Sequence, residues 1–123
     1  MQRELLQKLI DWKSKGDRKP LIIRGARQVG KTWLMKEFGK SHYKNMAYVN
    51  FETALSLHGI FESGFETEKL IMALKIETGT DILPEDTLII LDEIQECESA
   101  LTSLKYFQEN LYYLKFLAPY HSL

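Results

Sequence analysis

Gly25, Gly30, Lys31 and Thr32 fall in the string Gly25-Ala26-Arg27-Gln28-Val29-Gly30-Lys31-Thr32, which reads G-x-x-x-x-G-K-[ST]. That spacing suits the cradling of a phosphate chain. Glycines let the backbone wrap closely, and successive amides at a helix N-terminus aim partial positive charge at the anion. A lysine directly after the second glycine adds a full charge within reach of the β- and γ-phosphates. The hydroxyl that follows it can sit on a divalent cation. The motif needs a strand before it and a helix after it. Leu21-Ile22-Ile23 supplies the first, and Thr32-Trp33-Leu34-Met35-Lys36-Glu37-Phe38 supplies the second.

A second pattern lies about 60 residues downstream. Leu88-Ile89-Ile90-Leu91 is followed by Asp92-Glu93, two acids at the C-terminal end of an apolar strand. In open α/β sheets that edge is where ligands bind. Asp92 is placed to hold Mg²⁺ alongside Thr32, through a water, and Glu93 to polarise a water for attack on a γ-phosphate. Alone the pair is weak, because acids also favour the start of the next helix; the upstream phosphate loop gives it weight. Adjacent acids suit an additional-strand ATPase with a glutamate base. The chain has no Asn-Lys-x-Asp to read guanine, and no Arg-rich lid follows residue 93. Arg24 and Arg27 flank the loop and can approach phosphates, although loop-tip arginines are often solvated. Asn50 and Glu52 end a strand near the presumed site. Gln95 follows the acids, with contact to the γ-phosphate region and helix-start packing as its two readings.

The elements that must position these residues are readable in outline. Leu5, Leu6, Leu9, Ile10 and Trp12 share one face of a helix over residues 1–15, which Gly16-Asp17 ends; its mixed-sign polar face favours packing on a sheet over lying on a membrane. Pro20 fixes entry into the first strand. The helix after the phosphate loop runs to about Ser41, and residues 46–51 suggest a second strand. Residues 53–64 read as a short helix or a packed loop. The spacing predicts a helix over 67–78 capped by Gly79, a buried parallel strand over 87–91, and a helix over 98–110. Helices alternating with strands make an α/β domain with a parallel sheet.

The bulk numbers fit one domain over the 123 residues, with 45% apolar and 11% aromatic residues. Charge is segregated. Residues 1–45 carry 12 Lys/Arg against 4 Asp/Glu, and residues 46–123 carry 4 against 13. A basic segment around the phosphate loop suits a polyanionic ligand. Nucleic acid binding ranks last, since no aromatic-interleaved basic patch accompanies the charge. The single Cys97 excludes a disulfide framework and offers no metal-ligand spacing. His42, His58 and His121 lie far apart and near no carboxylate cluster in sequence, and read as surface or packing residues. No apolar stretch approaches a membrane span, so a cytoplasmic protein is the default.

Arg24 to Thr32, Tyr48-Val49-Asn50-Phe51-Glu52, Leu91-Asp92-Glu93-Ile94-Gln95-Glu96 and Leu101-Thr102-Ser103-Leu104-Lys105 together resemble one group of prokaryotic AAA-like ATPases. In that group an N-terminal P-loop domain precedes a long C-terminal domain of unknown function. The resemblance covers roughly residues 1–110 and implies ATP binding and hydrolysis with Mg²⁺. The shared fold places a further strand between the two motif strands, ending in a polar sensor residue. Residues 111–119 depart from the family pattern, although they could still form a strand whose register the sequence does not fix. The expectation is therefore a three-layer P-loop sandwich, incomplete at its C-terminus, in an N-terminal fragment whose exposed apolar edges favour self-association. Ser122 is the candidate sensor. The alternative is a nucleotide-binding switch or interaction module that does not hydrolyse.

Overall fold

A computed structural model describes residues 2–15, 19–26 and 30–122. Within these residues four parallel strands form one sheet: β1 (Leu21–Ala26), β2 (Asn45–Asn50), β3 (Thr87–Asp92) and β4 (Lys115–Ser122), in the spatial order β1-β4-β3-β2. Among the described residues five α-helices cover it: α1 (Gln2–Ser14), α2 (Lys31–His42), α3 (Leu55–Glu62), α4 (Thr67–Thr78) and α5 (Glu98–Asn110). The helices over 67–78 and 98–110 have the expected bounds. Within residues 53–64, which admit a short helix or a packed loop, Leu55–Glu62 form α3. Gly79 closes α4 in the left-handed conformation at φ 63°, and its amide returns to Lys75 O. α1 ends at Ser14, and the Gly16-Asp17 stop expected after it lies outside the described residues.

Alternation along each strand divides the core into two layers. Leu88, Ile90, Leu117 and Ile23 face Leu9 and Trp12 of α1 and Met35 and Phe38 of α2. On the other side, Ile89, Leu91, Val49 and Phe116 pack against α3, α4 and α5. Every residue of β3 is buried, as its unbroken apolar run requires for a strand covered on both faces.

The sheet has no gap where one was expected. Residues 115–122 form β4 and insert between the two motif strands, pairing Leu21 with Leu117 and Gly25 with His121 on one side, and Leu88 with Lys115 and Ile90 with Leu117 on the other. The physical reason lies in the apolar anchors. Leu111, Leu114, Phe116, Leu117 and Ala118 are all buried, and the Phe116 ring stacks on Phe107 of α5 with centroids 4.5 Å apart. Such a pair contributes about 0.5–1.5 kcal/mol beyond its burial. Pro119 pairs with Ile23 of β1, while the ladder with β3 stops at Leu117, two residues earlier, so on that side no ladder bond is interrupted.

Candidate functional site

Parallel pairing brings the C-terminal ends of β1, β4 and β3 together, and the two motifs follow two of those ends. After β1 the chain reaches Gly30, whose φ of 85° is left-handed and suits glycine; its carbonyl then accepts the Leu34 amide at 2.9 Å as α2 begins. Lys31 is the first residue of α2 and is 7% exposed. Its ammonium lies beside Gly25, where an added Cβ would stand 3.8 Å from Nζ. Burial lowers the Lys31 pKa, and the nearby Asp92 and Glu93 carboxylates oppose that shift. Arg27, Gln28 and Val29 lie outside the described residues. Ala26 ends β1 on the surface.

Asp92 is 1% exposed, and its two carboxylate oxygens have different partners. Thr32 donates its hydroxyl to Oδ2 at 3.1 Å, joining the two motifs directly. Tyr48, from β2, donates to the same oxygen at 2.5 Å. Oδ1 accepts the Glu93 amide at 2.9 Å. A threonine hydroxyl and a carboxylate are hard oxygen donors, the set that suits Mg²⁺.

Glu93 leaves the strand with φ 53° and ψ 43°, a left-handed conformation costing a residue with a side chain about 1–2 kcal/mol. The turn is followed by a 3₁₀ turn, Ile94–Glu96. Gln95 donates its amide to Glu93 Oε1 at 2.7 Å, and its own carbonyl oxygen accepts the His121 backbone N–H at 2.9 Å. The glutamate is thereby tied to the end of β4. His121 also approaches it through the ring: Nδ1 lies 3.0 Å from Glu93 Oε1, off the alignment of a hydrogen bond.

The structure thus gathers Gly25, Gly30, Lys31, Thr32, Asp92, Glu93 and Gln95 at one end of the sheet. Of the two readings of His121, surface or packing, burial leaves the second, and the structure sets it against the carboxylates of Asp92 and Glu93, which its distance in sequence did not suggest. Ser122 is exposed one residue further on, so the polar side chain of β4 that meets Glu93 is His121. Arg24 stacks its guanidinium on the Tyr120 ring at 4.5 Å. Asn50 turns its side chain to the backbone just after β2, its amide oxygen accepting the Glu52 N–H at 2.8 Å. Cys97 is buried, and burial raises its thiol pKa, which leaves it a packing residue.

Tyr48 and His121 carry no motif signature. Strand alternation alone would have placed Tyr48 beside Asp92 had the pairing of Asn50 with Asp92 been known. His121 required the position of β4. A depression of about 500 Å³ between α1 and Leu21 contains none of the motif residues, and its lining of Glu4, Lys8, Asp11 and Lys15 is of mixed sign. The converging side chains, not that hollow, mark the site.

Among the described residues, no helix is long and apolar enough to cross a membrane. No curated protein matches the chain. A family model described as AAA domain matches residues 17–119, beyond the 110 residues over which a resemblance was expected and well into β4. With an all-parallel sheet carrying a phosphate-loop sequence after its first strand, and with most of its length matched, this chain belongs to the AAA domain family, a family of nucleotide-binding domains.

Proposed function

We propose that this chain binds ATP with Mg²⁺ and hydrolyses it. The observation that carries the reading is the 3.1 Å hydrogen bond from Thr32 to Asp92. It joins the hydroxyl of the phosphate loop to the acid of the second strand across 60 residues of sequence. In this reading the loop Gly25-Ala26-Arg27-Gln28-Val29-Gly30-Lys31-Thr32 wraps the phosphates, and Lys31 presents a poorly solvated charge to them. A charge removed from bulk water acts more strongly on an anion than an exposed one. Thr32 and Asp92 hold Mg²⁺, which supplies charge neutralisation at the phosphate oxygens when bound. Glu93 orients the attacking water and accepts its proton. The single free cysteine needs no oxidising compartment, which suits a cytoplasmic setting.

One observation favours a nucleotide switch without turnover. Glu93 Oε1, one of the two oxygens that could take the proton, is already engaged by Gln95 and approached by His121. Calorimetry with Mg²⁺-ATP, with phosphate release followed in parallel, separates the two. Lys31→Ala is expected to lose binding. Glu93→Gln is expected to bind and to release no phosphate; a Glu93→Gln rate equal to that of the unaltered chain would remove Glu93 as base. Binding without release by the unaltered chain would establish the switch.

A further inference from the structure

We propose that, in the absence of nucleotide, Asp92, Glu93 and His121 form a binding site for a first-row transition-metal cation of the Zn²⁺ or Mn²⁺ class. One potential ligand atom from each residue lies within 4.8 Å of the others, and His121 Nδ1 and Glu93 Oε1 are 3.0 Å apart. Ligands bound at about 2.0–2.2 Å to one Zn²⁺ stand on the order of 3 Å from each other, so small side-chain rotations close the set. All three residues are buried. The observation that points to a ligand is His121: its side chain is 4% exposed, Nδ1 faces Glu93 Oε1 without hydrogen-bond alignment, and among the described residues Nε2 has no hydrogen-bond partner. A buried polar group left in that state is destabilising, and donation of a nitrogen lone pair to a cation relieves it.

The donor set selects the metal. Two carboxylates with one imidazole suit Zn²⁺, Mn²⁺, Fe²⁺ or Co²⁺, whereas Mg²⁺ prefers oxygen and keeps its waters. The site therefore differs from the Thr32–Asp92 pair in its nitrogen donor and in its use of Glu93. If the ATPase reading holds, the two uses compete: they share Asp92, and a cation bound to Glu93 removes the group that would activate water. Metal occupancy then acts as a brake on turnover.

The test uses the full chain without nucleotide and Zn²⁺ alone, titrated against a chromophoric chelator. One Zn²⁺ per chain is expected, with Mg²⁺ in excess failing to displace it, and His121→Asn is expected to weaken binding at least about tenfold. Unchanged affinity in a folded His121→Asn chain overturns the site, as does the absence of Zn²⁺ binding. Because a change at a buried histidine can disturb folding, the ring-nitrogen resonances of the unaltered chain give a second measurement. Zn²⁺ is expected to shift those of His121, and a shift confined to His42 or His58 overturns the proposal. Mg²⁺-ATP binding, measured separately, distinguishes the failures. ATP binding without a Zn²⁺ site rejects the metal site alone, and Zn²⁺ binding without ATP binding rejects the nucleotide reading alone.

Discussion

Tyr48 and Thr32 donate to the same oxygen of Asp92, one from the neighbouring strand at 2.5 Å and one from the helix above at 3.1 Å. The Lys36 ammonium covers the Tyr48 ring at 4.0 Å, so the tyrosine is clamped between a cation and a carboxylate. Burial raises the Tyr48 pKa, and the hydrogen bond to Asp92 adds to it, which keeps the hydroxyl a donor at neutral pH. Hydrogen bonds to charged groups contribute about 1.5–3 kcal/mol. Tyr48→Phe is expected to lower stability to denaturant by about that amount. A loss below about 0.5 kcal/mol would show that the bond contributes little to the fold.

Tyr43 gives a different outcome from the same substitution. Its ring packs edge-on to Phe38, but its hydroxyl is buried without a hydrogen-bond partner among the described residues. Burial first, and the Glu85 charge second, push its pKa up to about 12 from 10.0. Between those values the unfolded chain has released a proton that the folded chain retains, so stability falls as pH rises through that window. The slope from one such group approaches about 1.4 kcal/mol per pH unit. Tyr43→Phe is expected to be no less stable than the unaltered chain at neutral pH, and to lose its share of that alkaline slope. Urea midpoints collected at several pH values read both effects; an unchanged slope would refute the assignment.

These two tyrosines mark where the sequence could be read and where it could not. The phosphate loop and the Asp92-Glu93 pair were legible because their chemistry demands fixed residue types at short spacing. The helices over 67–78 and 98–110 were legible because apolar side chains recur there at helical period. Strand β4 was not. Its length falls partly on a proline and it contains both Lys115 and His121, features that argue against a central strand when pairing is unknown. Only tertiary pairing with β1 and β3 resolves its register, and the placement of His121 and the role of Gln95 as a tie between strands follow from that register. Tyr48 was visible within an aromatic strand, yet its hydrogen bond to Asp92 crosses 44 residues.

Lys31 is held in a way that costs the nucleotide-free chain stability. Burial is the largest influence on its pKa and disfavours the charged form, outweighing Asp92 and Glu93. Its folded pKa lies below the ordinary 10.5, so between the two values the unfolded chain holds the extra proton and stability rises with pH. Lys31→Met is expected to raise the melting temperature of the nucleotide-free chain at neutral pH by a few degrees, while abolishing ATP binding. A lower melting temperature would show that attraction to the two carboxylates outweighs desolvation.

Gly39 sets how closely α2 lies on the sheet. A Cβ there would stand 2.7 Å from Met46 Sδ and 3.3 Å from Leu88 Cδ2. Alanine gains about 0.5–1 kcal/mol over glycine within a helix, but overpacking costs about 1–3 kcal/mol. Gly39→Ala is expected to be destabilising by about 1 kcal/mol net of these two. Combining it with Met46→Ala, which removes the nearest obstacle, is expected to cost at least about 0.5 kcal/mol less than the two single changes added together. Strict additivity would show that α2 shifts as a whole.

Gln95 is a positioning residue on the ATPase reading, because it reaches the reacting water only through Glu93. Its amide holds Glu93 Oε1 at 2.7 Å and its carbonyl oxygen holds the His121 backbone at 2.9 Å, so one side chain fixes the glutamate relative to β4. Misplacing a catalytic group by about 1 Å can cost on the order of a hundredfold in rate. Gln95→Ala is expected to lower kcat by about tenfold to a hundredfold and to leave the KM for ATP unchanged, since no phosphate contact is assigned to it. A parallel rise in KM would place Gln95 against the nucleotide itself. An unchanged kcat would show that the left-handed turn at Glu93, rather than the amide, fixes the carboxylate.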